Sequence, residues 1–175
     1  LQYDLDYKIS PNFGLDVPME QISKGNGGSC VLSAYSSSVI NLSSHFTTSL
    51  GITAQYFPLN KNWTVEPRAA LKWSFNPKHA LALAYGLHSR REKLDYYFVE
   101  QEANGKTESN RYLDFSKAHH FGLTYDWNIN SYMHLKVEPY YQYLFRIPVE
   151  ENSSFSIINH QSFYLDRILK NRGSG

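Results

Sequence analysis

The sequence predicts an all-β protein: an antiparallel transmembrane β-barrel segment of about seven to eight strands in up-and-down order, forming part of a larger barrel. Three observations predict it. Apolar and polar residues alternate with period two along most of the chain from Cys30 onward. The alternating runs are about 11 to 15 residues long, whereas strands of ordinary globular domains average about 5 to 6. Aromatic residues gather at the ends of these runs and aliphatic residues in their middles.

Taken in order, Leu1 to Ile9 reads as the end of one strand and Pro11 to Gly28 as a long connection. Val31 to Leu42 is β-rich but diluted by serine, which leaves its facing open. From Phe46 to Tyr56, Phe46, Thr48, Leu50, Ile52 and Ala54 alternate with Thr47, Ser49, Gly51, Thr53 and Gln55. The pattern is cleanest from Asn62 to Phe75, where Trp63, Val65, Pro67, Ala69, Leu71 and Trp73 oppose Thr64, Glu66, Arg68, Ala70 and Lys72. Leu81, Leu83, Tyr85 and Leu87 then oppose Ala82, Ala84, Gly86 and His88. Phe121, Leu123, Tyr125 and Trp127 oppose His120, Gly122, Thr124 and Asp126. A last run, Met133 to Phe145, sets Leu135, Val137, Tyr141 and Tyr143 against Lys136, Glu138 and Gln142.

Turn chemistry separates the runs. Asn41 to His45, Asn76 to His79 and Asn128 to Tyr132 are short and polar, as tight antiparallel connections require. The connections between them are Pro11 to Gly28, Pro58 to Lys61, Arg91 to Phe115 and Ile147 to Arg172, three of them long. Short and long connections therefore fall at opposite ends of the sheet, with Pro58 to Lys61 the exception. Asn104-Gly105 is a hairpin dipeptide, so the Arg91 to Phe115 connection is expected to carry its own β-ribbon.

Composition narrows the classes. Seventeen Lys and Arg against 16 Asp and Glu give a net charge of +1, which offers no field for a polyanion, and no nucleic-acid partner is expected. The single cysteine, Cys30, excludes an internal disulfide and a multi-cysteine metal site. No apolar run approaches the roughly 18 residues of a membrane helix. By contrast, 14 Tyr, 10 Phe and 3 Trp make up 15% of the chain, and such amphipathic rings suit a boundary between apolar and wet surroundings. The chain begins at Leu1 and stops in a turn-like Arg172-Gly-Ser-Gly175, which reads as an internal piece of a longer protein.

Strand length distinguishes the solvents. Ten residues rising about 3.3 Å each and tilted by about 45° span roughly 23 Å, close to the approximately 25 Å apolar band of an outer-membrane barrel. In hydrocarbon only a closed ladder satisfies every backbone polar group, so the sheet is expected to close with further strands. The polar set Glu66, Arg68, Lys72, His88, Asp126, Lys136 and Glu138 then faces the lumen, being too charged for a packed core. These seven are candidates for contact with a solute or an internal domain, against the plainer alternative that they pair across strands and solvate the wall. Pro67 and Pro139 cannot donate to a ladder and are expected at a bulge or beyond regular pairing.

Other candidates are narrower. Tyr96, Tyr97 and Tyr112 are candidates for an aromatic solute platform in the outer loops, or for loop packing. His119 and His120 are adjacent in a strand and point to opposite faces, so they cannot chelate as a unit. The same holds for His88 and Ser89, which lack an acid partner at any readable spacing; no catalytic residue is assigned. No zinc spacing, phosphate loop or dinucleotide fingerprint occurs, and no metal or cofactor is expected.

Four phrases carry a resemblance: Asn62-Trp-Thr-Val-Glu-Pro-Arg-Ala-Ala-Leu-Lys-Trp-Ser-Phe75, Ala84-Tyr-Gly-Leu-His-Ser89, Ala118-His-His-Phe121 and Glu138-Pro-Tyr-Tyr-Gln142. Together with the terminal Asn171-Arg-Gly-Ser-Gly175, they resemble the barrel of Bacteroidetes-type TonB-dependent outer-membrane receptors, over about Val31 to Gly175. The resemblance implies a barrel of about 22 strands around an N-terminal plug. It further implies residence in the outer membrane of a Gram-negative bacterium, contact with its lipid, and import of a scarce nutrient such as a metal chelate, cofactor or glycan. The energy would come from the TonB complex. Neither plug nor energy-coupling box is read in residues 1–175, which are taken as one partial barrel domain with no enzymatic activity. The rivals are a passive porin-like or small structural barrel and a soluble lipocalin-like binding barrel.

Overall fold

The computed structural model describes residues 2–9, 20–103, 106–151, 156–158 and 167–175. Twelve strands are formed among them: β1 (Gln2–Ile9), β2 (Glu20–Gly28), β3 (Leu32–Asn41), β4 (Phe46–Phe57), β5 (Asn62–Asn76), β6 (His79–Arg90), β7 (Glu100–Ala103), β8 (Lys106–Ser109), β9 (Ser116–Asn130), β10 (Met133–Val137), β11 (Tyr140–Glu150) and β12 (Leu169–Ser174). A four-residue helix, α1 (Leu94–Tyr97), and a 3-10 turn at Asn110–Tyr112 lie in the connection between β6 and β9. No helix among the described residues is long and apolar enough to cross a membrane.

The main sheet has eight strands in the order β12-β11-β9-β6-β5-β4-β3, with β10 also paired to β9. Successive neighbours are antiparallel, so the chain goes up and down as expected. The sheet is open: β3 and β12 are its outermost strands and do not meet. The short turns after Asn41, Asn76 and Asn130 share one end, and the connections 58–61, 91–115 and 151–168 share the other.

Three boundaries differ from the expectation. Glu20–Gly28, assigned to a connection, is strand β2 and pairs with β1 in a separate two-stranded sheet. Gly25, Gly27 and Gly28 lack the side chains that make alternation visible. The connection expected over Ile147 to Arg172 is strand at both ends, because β11 runs to Glu150 and β12 begins at Leu169. Here two register shifts, between Phe145 and Ile147 and between Ile147 and Pro148, break the period, with Arg146 at φ 54° inside the first. Finally, the run Met133 to Phe145 is two strands, interrupted at Glu138-Pro139.

The prolines act as ladder breaks on one side only. Pro67 pairs in register with Ile52 of β4, whereas the β5–β6 pairing begins at Arg68 opposite Gly86. Pro139 has no N–H to give, yet its carbonyl accepts from the Leu123 N–H at 3.0 Å, so the face continues unbroken into β11.

The packed core lies at the end bearing the longer connections. Phe57, Tyr96, Tyr97, Phe98, Val99, Leu113, Phe115 and Leu169 form it, with the Phe57 and Tyr97 rings edge-to-face at 5.3 Å. Asn110 pins it: its side chain donates to the Arg167 carbonyl at 2.7 Å and accepts from the Leu169 N–H at 2.7 Å. From this base β7 and β8 rise as the expected ribbon; the Asn104-Gly105 turn itself lies outside the described residues.

Burial pushes the Tyr97 phenol up to about 12, and burial together with the Glu92 carboxylate raises Tyr96. A phenol whose folded value lies above its ordinary value of about 10 stabilises the fold fully below that pH and less as pH rises through the folded value. The loop core is therefore expected to open between about pH 10 and 12. Subtracting a Tyr97→Phe titration from that of the parent, by tyrosinate absorbance, isolates this phenol; ionisation near 10 would show that it is not held in the core.

Candidate functional site

Register places the side chains of the main sheet on two faces of opposite character. On one face, Phe46, Trp73, Leu81 and Tyr125 form a row near the short-turn end. The next row is Thr48, Leu71, Leu83 and Leu123, and the next Leu50, Ala69, Tyr85, Phe121 and Tyr141. Leu83 is 56% exposed, Ile52 51% and Tyr141 62%, so among the described residues nothing covers this face.

Rings close both ends of that face. Near the short turns, Phe46 stacks on Trp73 at 5.8 Å, Trp73 touches Phe75 at 5.1 Å, and His79 lies between Phe75 at 5.7 Å and Trp127 at 5.5 Å. A hydrogen bond of 2.8 Å joins His79 Nδ1 to the Tyr125 hydroxyl. Toward the other end, His119 stacks on Phe145 at 4.9 Å and on Tyr143 at 6.5 Å, while its Nδ1 lies 3.0 Å from the Tyr85 hydroxyl. His119 thus belongs to the apolar face and His120 to the other, as their adjacency in a strand dictates.

The opposite face holds all seven residues expected on the polar side. Lys72 sits in a row with Thr47, Ala82 and Thr124. Next to it is an ion-pair ladder: His134 Nε2 lies 3.2 Å from Asp126, Lys136 Nζ 2.7 Å from Glu138, and the Thr124 hydroxyl donates to Glu138 at 3.2 Å. Side chains of these groups are about a quarter to a half exposed, as expected of a solvated wall.

Glu66 differs, since its side chain is only 3% exposed. Its carboxylate accepts from Gln55 Nε2 at 2.6 Å, from Arg68 at 3.1 Å and from the Ser89 backbone N–H at 3.1 Å. The last bond has a local cause. The β5–β6 pairing does not extend past Arg68 toward Pro67, and the Glu66 carboxylate takes a β6 N–H just beyond that end. This gives the first Glu-Pro pair a structural reason.

Replacing this carboxylate has a definite expected cost. Glu66→Ala leaves two buried or half-buried donors and a guanidinium without their acceptor, for about 2 to 3 kcal/mol, while Glu66→Gln keeps one acceptor and costs about 1 kcal/mol. Denaturant titration checks it; equal losses for the two variants would mean that the retained amide oxygen replaces none of these acceptor bonds.

Arg68, Gly86, His120 and Gln142 share one row across the sheet, with Gly51 before them. Because Gly86 has no side chain, the His88 ring folds over it: a Cβ at Gly86 would meet His88 Nε2 at 2.8 Å and Arg68 Cγ at 3.6 Å. His88 and His120 lie edge to face, their ring centroids 4.6 Å apart. The site thus gathers Glu66, Arg68 and His88 from the expected set, and adds Gln55, Gly86, Ser89 and His120. Gln55 was legible only as a polar residue in phase with Glu66, and Gly86 only as a gap in the polar stripe.

Of the two readings of the loop tyrosines, Tyr96 and Tyr97 follow loop packing. Tyr96 is 8% and Tyr97 1% exposed, both inside the loop core, because a connection of this length needs apolar side chains of its own to hold it. Tyr112 stands apart at 80% exposed. Among the described residues no group of three or more His, Cys, Asp or Glu is placed to hold a metal.

No protein-family model and no curated protein matches the chain.

Proposed function

We propose that this sheet is a wall segment of an outer-membrane β-barrel, with the Leu71–Leu83–Leu123 face toward lipid and the Glu66–Arg68–His120 face toward the lumen. The observation that carries the reading is one continuous, exposed apolar face, in which the row of Leu71, Leu83 and Leu123 lies between rows rich in aromatic rings. A water-soluble monomer does not leave so many neighbouring large apolar side chains uncovered, whereas lipid covers such a face without further protein. The open edges β3 and β12 then pair with further strands of the same barrel.

By the resemblance in the Glu66-Pro67-Arg68 and Tyr85-Gly-Leu-His-Ser89 phrases, the barrel is that of a TonB-dependent importer of a scarce nutrient, closed by an internal plug and residing in a Gram-negative outer membrane. Conductance of the full protein in planar bilayers tests this. A plugged importer inserts and stays closed until denaturant unfolds the plug; a steadily open channel assigns a passive porin; failure to insert, with solubility in plain buffer, assigns a soluble binding barrel.

A further inference from the structure

The lumen-side cluster of Arg68, His88 and His120 is more than wall solvation. A groove of about 570 Å3 crosses the polar face above a floor that includes Ser49, Gly51, Ala70, Ala84, Gly86 and Gly122, which lets a solute approach the backbone. Arg68, His88 and His120 line it together, with Tyr35, 83% exposed, and Tyr140, 81% exposed, also on its wall.

The charges facing the groove at this point are one-signed. Glu66 is the nearby carboxylate, but it is buried beneath Arg68 and engaged by Gln55, Arg68 and the Ser89 N–H, so it orients the guanidinium. Arg68 stays 49% exposed while bonded to Glu66 through one nitrogen. The Arg68 guanidinium carries a fixed positive charge, and the two imidazoles in contact beside it offer ring N–H groups that an oxyanion can accept from. Gly86 is what makes the cluster, since any side chain there displaces the His88 ring.

We propose that Arg68, His88 and His120 form an oxyanion site on the lumen wall, which binds a carboxylate or phosphate group of a solute in that groove. The proposal rests on the assignment of this face to the lumen. Around His88, the charged and titratable groups on the packed strands are Glu66 and Arg68 of β5 and His120 of β9.

The test is calorimetric titration of the full protein in detergent with inorganic phosphate and, separately, citrate. Saturable binding of either is expected, weakened about tenfold or more by Arg68→Gln or His120→Gln. His119→Gln, on the apolar face, leaves it unchanged. The tighter of the two probes names the recognised group. Absence of binding to both, or binding indifferent to Arg68→Gln and His120→Gln, overturns the site. The two readings fail separately: a protein that inserts as a barrel but binds neither probe refutes the site alone, and one that binds with these dependences yet never inserts refutes the barrel alone.

Discussion

Leu83→Arg is expected to destabilise the protein in bilayers by about 2 to 4 kcal/mol, while Ala82→Arg costs far less. The two positions are adjacent on β6 and differ in face alone. Leu83 lies in the row with Leu71 and Leu123 on the apolar face, where on the lipid-facing reading a guanidinium meets neither water nor a partner. Ala82 lies in the row of Lys72 and Thr124, where an added charge meets water and the ladder of Asp126 and Glu138. Urea unfolding of each variant from lipid vesicles provides the comparison. Equal losses would reverse or abolish the assigned faces.

Phe57→Ala is expected to cost the loop core about 3 to 5 kcal/mol, the usual range for emptying a fully buried aromatic site. Phe57 ends β4 at 1% exposure and stacks edge-on against Tyr97, while the Arg91 guanidinium lies 5.8 Å from its ring centroid. The same core holds Leu113, Phe115 and Leu169, so the loss is expected to release the whole 91–115 connection and loosen the start of β12. Limited proteolysis of the folded protein reads this directly: cleavage within 91–115 rises steeply while the strands from β4 to β6 stay protected. Unchanged cleavage would mean that the connection is held by the Asn110 and Asn171 hydrogen bonds and not by its apolar packing.

Where the chain could be read in advance, each strand faces two different surroundings. Trp63 to Phe75 and Phe121 to Trp127 alternate because the two faces of the sheet differ in polarity, and a period of two survives any choice of partner strand. Their pairing order also follows, since short polar turns permit only adjacent antiparallel strands. The edge strand β12 escaped notice because Lys170, Asn171 and Arg172 carry no apolar phase. Its anchors are interactions across long sequence separations: Asn171 with the Arg146 and Asp114 carbonyls, and Lys170 and Arg172 with Glu151. The Lys170 ammonium, with Arg172 beside it, holds the Glu151 carboxyl below its usual range.

The candidate site was legible in part for the same reason. Facing follows from phase, so Glu66, Arg68, Lys72, His88, Asp126, Lys136 and Glu138 could be placed on one side. Which of them meet depends on register, which sequence alone does not set. Gly86 opposite Arg68 and His120 is a consequence of pairing, and it brings two histidines 32 residues apart into contact. Loop tyrosines have no phase at all, and the burial of Tyr96 and Tyr97 beside the exposure of Tyr112 became visible only with the loop core.

The most direct test is a nitroxide scan along β5, one label at a time from Val65 to Trp73 in a Cys30→Ser background, with the full protein in lipid bilayers. A lipid-facing wall predicts that accessibility to oxygen peaks at 65, 69, 71 and 73, while accessibility to a water-soluble paramagnet peaks at 68, 70 and 72. Loss of the two-residue period, or the same period in opposite phase, would contradict it.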